Sequence, residues 1–150
     1  MTYKLYLILF LAISLASCGG ESSNRLNLEG RWLSSCQLRL VSEGELNFVE
    51  HSDEYVFTGD TFEYSLKEWP NSTCGEGDGE ITKIWTGTYI VGKPIITSSG
   101  LEAVEIDIKY DDGFNWLQII KLNGNNFYFG IMDGGDRPVE LDFEVLFTKQ

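Results

Sequence analysis

The chain has 150 residues, of which 23 are acidic and 11 are basic, and its formal net charge is −12 at pH 7. This length suits a single domain with one hydrophobic core. So acidic a chain lacks the basic face that phosphate groups require, which excludes nucleic acid as a partner.

Residues 1–17 predict an export signal. Lys4 is followed by an apolar run over residues 5–16 and then by small residues, an arrangement typical of secretory signal peptides. The run is shorter than the roughly 20 apolar residues that a membrane-spanning helix needs. We therefore expect this segment to form a signal helix that is removed from the mature protein.

The four residues Leu15-Ala16-Ser17-Cys18 resemble the lipobox of bacterial lipoproteins, in which an aliphatic residue and two small residues precede a cysteine. The resemblance implies cleavage between Ser17 and Cys18, a diacylglycerol on the Cys18 sulfur and a fatty acid such as palmitate on the new amino group. Several acyl chains give stable anchoring, whereas one chain is marginal. Gly19 stands where lipoproteins of the inner membrane carry Asp, which favours the outer membrane of a Gram-negative cell envelope. The alternative is an ordinary signal peptide followed by a chance cysteine.

Residues 18–27 are polar and predict a short tether, and residues 28–150 predict one domain. Within this domain, polar and apolar residues alternate in segments such as 61–67, 104–110 and 139–145. A period of two is typical of strands with one buried and one solvated face. No segment of the domain has the period of an amphipathic helix.

Turn residues such as Asp111-Asp112-Gly113 separate successive strands and predict hairpins. The further predicted strands are Arg31–Leu33, Tyr55–Phe57, Ile81–Val91, Phe114–Lys121, Phe127–Phe129, and either Gln37–Val41 or Leu46–Val49. Consecutive strands joined by tight turns form an antiparallel meander. About eight strands favour an all-β, up-and-down barrel or a strongly curled sheet, because closure removes exposed edges.

Two cysteines, Cys36 and Cys74, remain once Cys18 carries lipid. An exported protein folds in an oxidising compartment, so these two predict a disulfide. Closing a loop of this length stabilises a protein by up to ~4 kcal/mol in the chain-entropy description. We expect no metal at this pair, because no histidine or third thiol clusters with it in the sequence.

Gly30-Arg31-Trp32 opens the first predicted strand and resembles the G-x-W signature of lipocalins and related calycin barrels. The resemblance implies a lipocalin-like barrel that Trp32 plugs at one end. Lipocalins often pack an arginine from near the C-terminal end across this ring, and Arg137 is the candidate for such a cation–π contact. Small uncharacterised lipoproteins of Gram-negative bacteria also carry G-x-W followed shortly by a cysteine, as Trp32 and Cys36 do here. The middle lipocalin motif, T-D-Y, is missing from this chain.

Aromatic side chains are the candidate ligand-binding groups. A barrel lined by rings can hold an apolar ligand, or the rings can simply fill the interior. The candidates for ligand contact are Trp69, Trp85 and Trp116. Trp69 stands beside a glycine-rich loop at 70–79 and is predicted to be partly exposed.

The sequence does not indicate catalysis. His51, the single histidine, stands beside Ser52 and Asp53, but neighbours on a strand point to opposite faces and cannot form a triad. We therefore predict that His51 lies in a polar loop.

Carboxylates are plentiful and carry little functional information by themselves. Glu140, Asp142 and Glu144 alternate along the strand predicted at 139–145, and such a stripe is typical of a solvated outer face. The glycine-rich acidic loops lack the spacing of a calcium-binding loop. We expect neither a metal nor a cofactor.

These features together predict a non-enzymatic, lipid-anchored domain that binds a small apolar molecule inside its barrel. The alternative is a structural or inhibitory module whose loops bind another envelope or host protein. Its acidic surface would suit a basic partner such as lysozyme. An unrecognised hydrolase is the third alternative.

Overall fold

The computed structural model describes residues 26–42, 47–69, 74, 79–132 and 135–150. Within these ranges the regular elements are all β-strands, which confirms the predicted all-β class. The strands are β1 (Gly30–Ser34), β2 (Gln37–Ser42), β3 (Asn47–Thr58), β4 (Thr61–Trp69), β5 (Glu80–Ile96), β6 (Glu102–Tyr110), β7 (Asn115–Asn123), β8 (Asn126–Phe129) and β9 (Phe147–Lys149).

The strands form one closed antiparallel barrel. From β3 to β9 each strand pairs with the next along the chain, and the ring closes because β1 pairs with both β9 and β3. β2 continues along β3 where β1 ends, since Leu33 is opposite Glu54 and Gln37 is opposite His51. One extra residue stands on the β1–β2 side between these pairs, as in a β-bulge. β1 and β2 therefore act as one bent strand, which gives the predicted up-and-down barrel of eight strand positions.

Aromatic rings fill much of the barrel interior. Trp32, Tyr55, Phe57, Phe127 and Phe147 come from four strands, and each is 3 % exposed or less. The ring centroids of Phe127 and Phe147 are 4.5 Å apart, and those of Trp32 and Phe127 are 5.0 Å apart. Aromatic pairs at such distances contribute about 0.5–1.5 kcal/mol beyond their buried area. These contacts hold the first strand of the barrel against the last two.

Trp32 lies at the end of the barrel that carries the β3–β4 turn, which we call the closed end. Its Nε1 donates a hydrogen bond of 2.6 Å to the carbonyl oxygen of Leu28. The ammonium group of Lys149 lies 5.3 Å from its ring centroid. Gly30 has a φ of 115°, and a Cβ there would lie 2.9 Å from Lys149 Cε. The glycine of the G-x-W motif therefore lets the lysine cross over the tryptophan ring.

Arg137 does not make the cation–π contact that was predicted for it. It lies on the outer side of the barrel, where its guanidinium pairs with Asp107 and donates a hydrogen bond of 2.6 Å to the carbonyl oxygen of Gln118. The prediction was wrong because Lys149 is the direct cross-strand partner of Trp32. A residue in the last strand thus reaches the ring, whereas Arg137 precedes that strand.

Between β8 and β9 the chain crosses the outer face of the barrel. Gly130 makes an isolated bridge with Leu141, and Leu141 packs with Ala103 and Ile119 in a second hydrophobic cluster. A Cβ on Gly130 would lie 2.4 Å from Pro138 Cβ and 2.7 Å from Ile119 Cγ1. This close approach requires a residue without a side chain at the exit from β8.

The strand that alternation predicts before β9, at 139–145, does not form. Its apolar residues meet different surroundings, since Leu141 is buried in the second cluster, Phe143 is exposed and Val145 packs against the main core. The backbone amide of the residue two positions after Asp142 donates a hydrogen bond to the Asp142 side chain. This hydrogen bond forms a local turn that interrupts the extended backbone. The prediction was wrong because alternation of residue types does not require one continuous buried face.

Several predicted features lie outside the described residues. They are the signal at 1–17, its cleavage site at Ser17 and Cys18, the lipidation of Cys18, most of the tether at 18–27, and most of the loop at 70–79. In the part of the chain that is described, no helix is long and apolar enough to cross a bilayer.

Candidate functional site

A cavity of about 330 Å³ lies at the end of the barrel away from Trp32, and we call it the open-end cavity. Its walls are rings from six strands, namely Tyr55, Tyr64, Tyr110, Trp116, Phe129 and Phe147. Phe114 and Met132 stand at its rim and are 58 % and 68 % exposed. The volume falls in the lower part of the range of about 300–1,000 Å³ that is typical of small-molecule sites.

Cross-strand pairing places the wall rings side by side. Tyr64 on β4 is opposite Tyr55 on β3 and opposite Trp85 on β5. The ring centroid of Tyr64 lies 4.9 Å from that of Tyr55 and 5.1 Å from that of Trp85. Paired residues on one face of a sheet stabilise each other's position. The wall is therefore built on the barrel strands rather than on loops.

Two carboxylates, those of Asp53 and Asp142, line the cavity. Asp53 Oδ1 accepts a hydrogen bond of 2.7 Å from the Tyr64 hydroxyl, and Oδ2 accepts one of 3.3 Å from Gln37 Nε2. The Asp53 amide donates to Ser34 Oγ at 2.8 Å, which fixes the backbone at this point. Neither acid has an ion-pair partner among the residues that the structure describes.

Burial raises the pKa values of the three phenols in the cavity wall. Loss of solvent raises the pKa of Tyr55 well above its usual value of 10.0, and burial is also the largest cause of the raised pKa values of Tyr64 and Tyr110. The negative charge of Asp53 raises the pKa of Tyr64 further. All three phenols therefore stay protonated near neutral pH and can donate hydrogen bonds.

The chain matches no protein-family model, no curated protein and no solved structure. The chemistry of the cavity therefore follows from its own residues, which offer apolar rings, phenol donors and two negative charges. A phenol becomes a good nucleophile when its pKa is lowered, and here the shifts go the other way. The raised pKa values therefore do not favour these phenols as nucleophiles.

The three tryptophans predicted to contact a ligand lie in different surroundings. Trp116 forms part of the cavity wall, whereas Trp85 stacks on the wall residue Tyr64 and is not itself among the lining residues. Trp69 projects from the opposite face of β4 and is 6 % exposed, so the prediction that it is partly exposed was wrong. A Cβ on Gly79 would lie 2.6 Å from Trp69 Cε2. The tryptophan is buried because the end of the adjoining loop packs against its ring.

The structure places His51 in β3, which corrects the prediction of a polar loop. Its side chain is 8 % exposed and lies on the same face of the strand as Asp53, two residues later. The sequence did not predict a strand here because residues 51–54 are all polar and show no alternation of polar and apolar residues. His51 is not among the residues that line the open-end cavity.

The structure also corrects the placement of Asp142, which was predicted on a solvated outer face. Asp142 lines the cavity, and its amide donates a hydrogen bond of 2.8 Å to the carbonyl oxygen of Phe129. Asp53 was not predicted to belong to a site either. The feature that could have identified Asp53 is its position, because this acid shares the inward face of β3 with Tyr55 and Phe57. That feature becomes visible only when the strand and its register are known.

The predicted disulfide between Cys36 and Cys74 is present, with Cα atoms 5.9 Å apart. It ties the bend between β1 and β2 to the loop between β4 and β5. The neighbouring Glu50 carboxylate accepts a hydrogen bond of 2.6 Å from the Cys74 amide. These three side chains bring potential metal-ligand atoms together, but the disulfide leaves neither sulfur as a thiolate. The pair therefore serves as a structural cross-link.

Proposed function

We propose that this protein is a lipid-anchored module of the cell envelope whose barrel binds a small, largely apolar molecule and catalyses no reaction. The observation that carries the proposal is the open-end cavity, because its aromatic walls provide apolar contact area around a space of about 330 Å³. The wall rings stand on paired strands. A site built in this way loses little conformational entropy when a ligand enters.

The anchoring part of the proposal depends on Leu15-Ala16-Ser17-Cys18. Acyl chains on Cys18 would hold the domain at a membrane surface, with residues 18–27 as the tether. The net charge of −12 gives no attraction to anionic headgroups, so the lipid is the main membrane contact. By resemblance, Gly19 favours the outer membrane.

The anchor is tested by the mass of the N-terminal peptide of protein recovered from its own cells. We expect a peptide that begins at Cys18 and carries acyl chains. Recovery of envelope protein with Met1 intact and Cys18 unmodified would contradict the anchoring, and it would leave the binding proposal untouched.

Native mass spectrometry of the full chain, extracted from its own envelope in an uncharged detergent, tests the binding. We expect a small-molecule adduct that is lost on denaturation. Val145→Trp puts a large ring at a lining position and should abolish the adduct. Ile90→Trp adds the same ring where the side chain is 69 % exposed, and it should leave the adduct unchanged. No adduct in any preparation, or equal retention by both variants, would contradict the proposal.

A second function, binding of another protein through the loops, has one specific observation in its favour. Phe114 and Met132 expose large apolar side chains at the rim of the cavity, and adjacent exposed apolar groups are typical of contact surfaces. Trp69, which was predicted to be partly exposed beside the loop at 70–79, is buried and offers no such surface. A defined protein cross-linked through the rim, together with no small-molecule adduct, would favour this second function.

A further inference from the structure

We propose that the ligand of the open-end cavity is an organic ammonium ion, with its charged nitrogen against Asp53 and its apolar groups against the aromatic walls. This inference rests on the proposed binding function and narrows the class of ligand. Among the described residues, the charged ones that line the cavity are Asp53 and Asp142, and both are acids. The lining is thus negative as well as aromatic.

Asp53 holds a half-buried negative charge that the described residues do not neutralise. Its carboxylate accepts hydrogen bonds from two uncharged donors, the Tyr64 hydroxyl and the Gln37 amide. Such donors satisfy hydrogen-bonding geometry and leave the net charge in place. Removing a carboxylate from water is costly unless an opposite charge accompanies it. A cation is therefore the occupant that this group favours.

The guanidinium group of Arg39 acts on the cavity wall, but it already has an ion-pair partner. Arg39 is close enough to lower the pKa of Tyr64, against the larger effects that raise it. Its ion pair is with Glu68 on β4. This pair offsets part of the Arg39 charge, and among the described residues Arg39 makes no ion pair with Asp53 or Asp142.

The walls suit the apolar groups of an ammonium ion. The faces of aromatic rings attract cations through their quadrupoles, and clusters of such rings recognise quaternary ammonium groups. Trp116, Tyr64 and Tyr110 supply three of these rings. The combination of several rings with a carboxylate favours an alkyl- or arylammonium ion that fits within about 330 Å³.

Uncharged and anionic ligands fit the same lining less well. A neutral hydrocarbon would displace water from Asp53 and Asp142 without replacing its hydrogen bonds. An anionic amphiphile, such as a fatty acid, would be repelled by the same two carboxylates and by the net charge of −12. The net charge raises the local concentration of cations near the domain instead.

Two probes of the same shape test the charge of the ligand. Benzyltrimethylammonium carries a positive nitrogen, and neopentylbenzene has carbon in its place. Titration calorimetry of the full chain in uncharged micelles, with empty micelles as the blank, gives both affinities. We expect the cation to bind at least about tenfold more tightly. Equal affinity, or preference for neopentylbenzene, would overturn this inference and leave the binding function standing, whereas binding of neither probe would overturn both.

Variants test the assignment to Asp53. Asp53→Asn keeps the shape and an acceptor for the Tyr64 hydroxyl, and we expect about a tenfold loss of affinity for the cation with less than about a twofold change for the neutral probe. Glu63→Gln removes the same charge from an exposed position on β4 and should change neither affinity. If Asp53→Asn fails to fold, Asp142→Asn should show a loss in the same direction. Unchanged cation affinity in a folded variant of the cavity acid would overturn the assignment.

Discussion

At the closed end of the barrel, Trp32 and Leu28 are each 1 % exposed, whereas at the open end six rings surround a cavity of about 330 Å³. Both ends are rich in aromatic residues, so the number of aromatic residues does not explain the difference between the two ends. At the closed end the Trp32 nitrogen has a backbone partner in Leu28. At the open end the polar groups are charged or face the cavity, and closing the rings over Asp53 would bury its charge. The two ends thus differ in the polar neighbours of their rings.

The largest expected effect that separates the two ends comes from removing one tryptophan at each. Trp32→Ala should lower the free energy of unfolding by about 3–5 kcal/mol, because it deletes a fully buried ring and leaves a void. Trp116→Ala should cost less than half as much, because Trp116 is half-buried and already borders a cavity. Urea unfolding followed by circular dichroism measures both. An equal or reversed ranking would show that the open end is packed as tightly as the closed end.

The disulfide beside the open end gives the next effect. Replacing Cys36 and Cys74 together by serine should lower the free energy of unfolding by about 2–4 kcal/mol, because the unfolded chain regains the freedom of a long loop. Urea unfolding of the variant checks the value. Alkylation of the folded protein without reductant should label neither cysteine, and labelling of both would refute the cross-link.

Alkaline pH should weaken the open end more than the closed end. Because burial raises the pKa values of Tyr55, Tyr64 and Tyr110 above 10.0, their stabilising contribution is fully present below pH 10. It declines as the pH rises further, since the unfolded chain releases its phenol protons first. Tyrosinate absorbance from these three residues should therefore appear together with loss of the near-ultraviolet dichroism. Tyr64→Phe should reduce the alkaline loss of stability, and ionisation of these three tyrosines in a protein that stays folded would contradict their burial.

The smallest effect concerns the cation at the closed end. A double-mutant cycle between Trp32→Leu and Lys149→Met should give a coupling of about 0.5–1 kcal/mol, because the ammonium lies over the indole ring at an exposed position. The same cycle with Arg137→Met should give no coupling, since Arg137 pairs with Asp107 instead. Coupling of Trp32 to Arg137, with none to Lys149, would contradict the contact between Lys149 and Trp32.

Much of the barrel could be predicted because alternation is a local property. The segments at 61–67 and 104–110 each have one apolar face, and both are strands. The cavity acids could not be predicted in the same way. Asp53 lies in a run of polar residues, and Asp142 reaches the cavity through a turn that no periodicity describes. Their meeting at one end depends on closure of the whole ring, which is a long-range property.

The ring closes where the strand at Gly30–Ser34 meets the strand at Phe147–Lys149. Contacts so distant along the chain form late, because a large loop must first be ordered. During synthesis the edge of β1 that meets β9 therefore stays unpaired until the last residues emerge. For the export that we propose, this order would be useful, because a polypeptide that has not finished folding can still be threaded through a narrow translocation channel, and the tertiary structure would be completed on the far side.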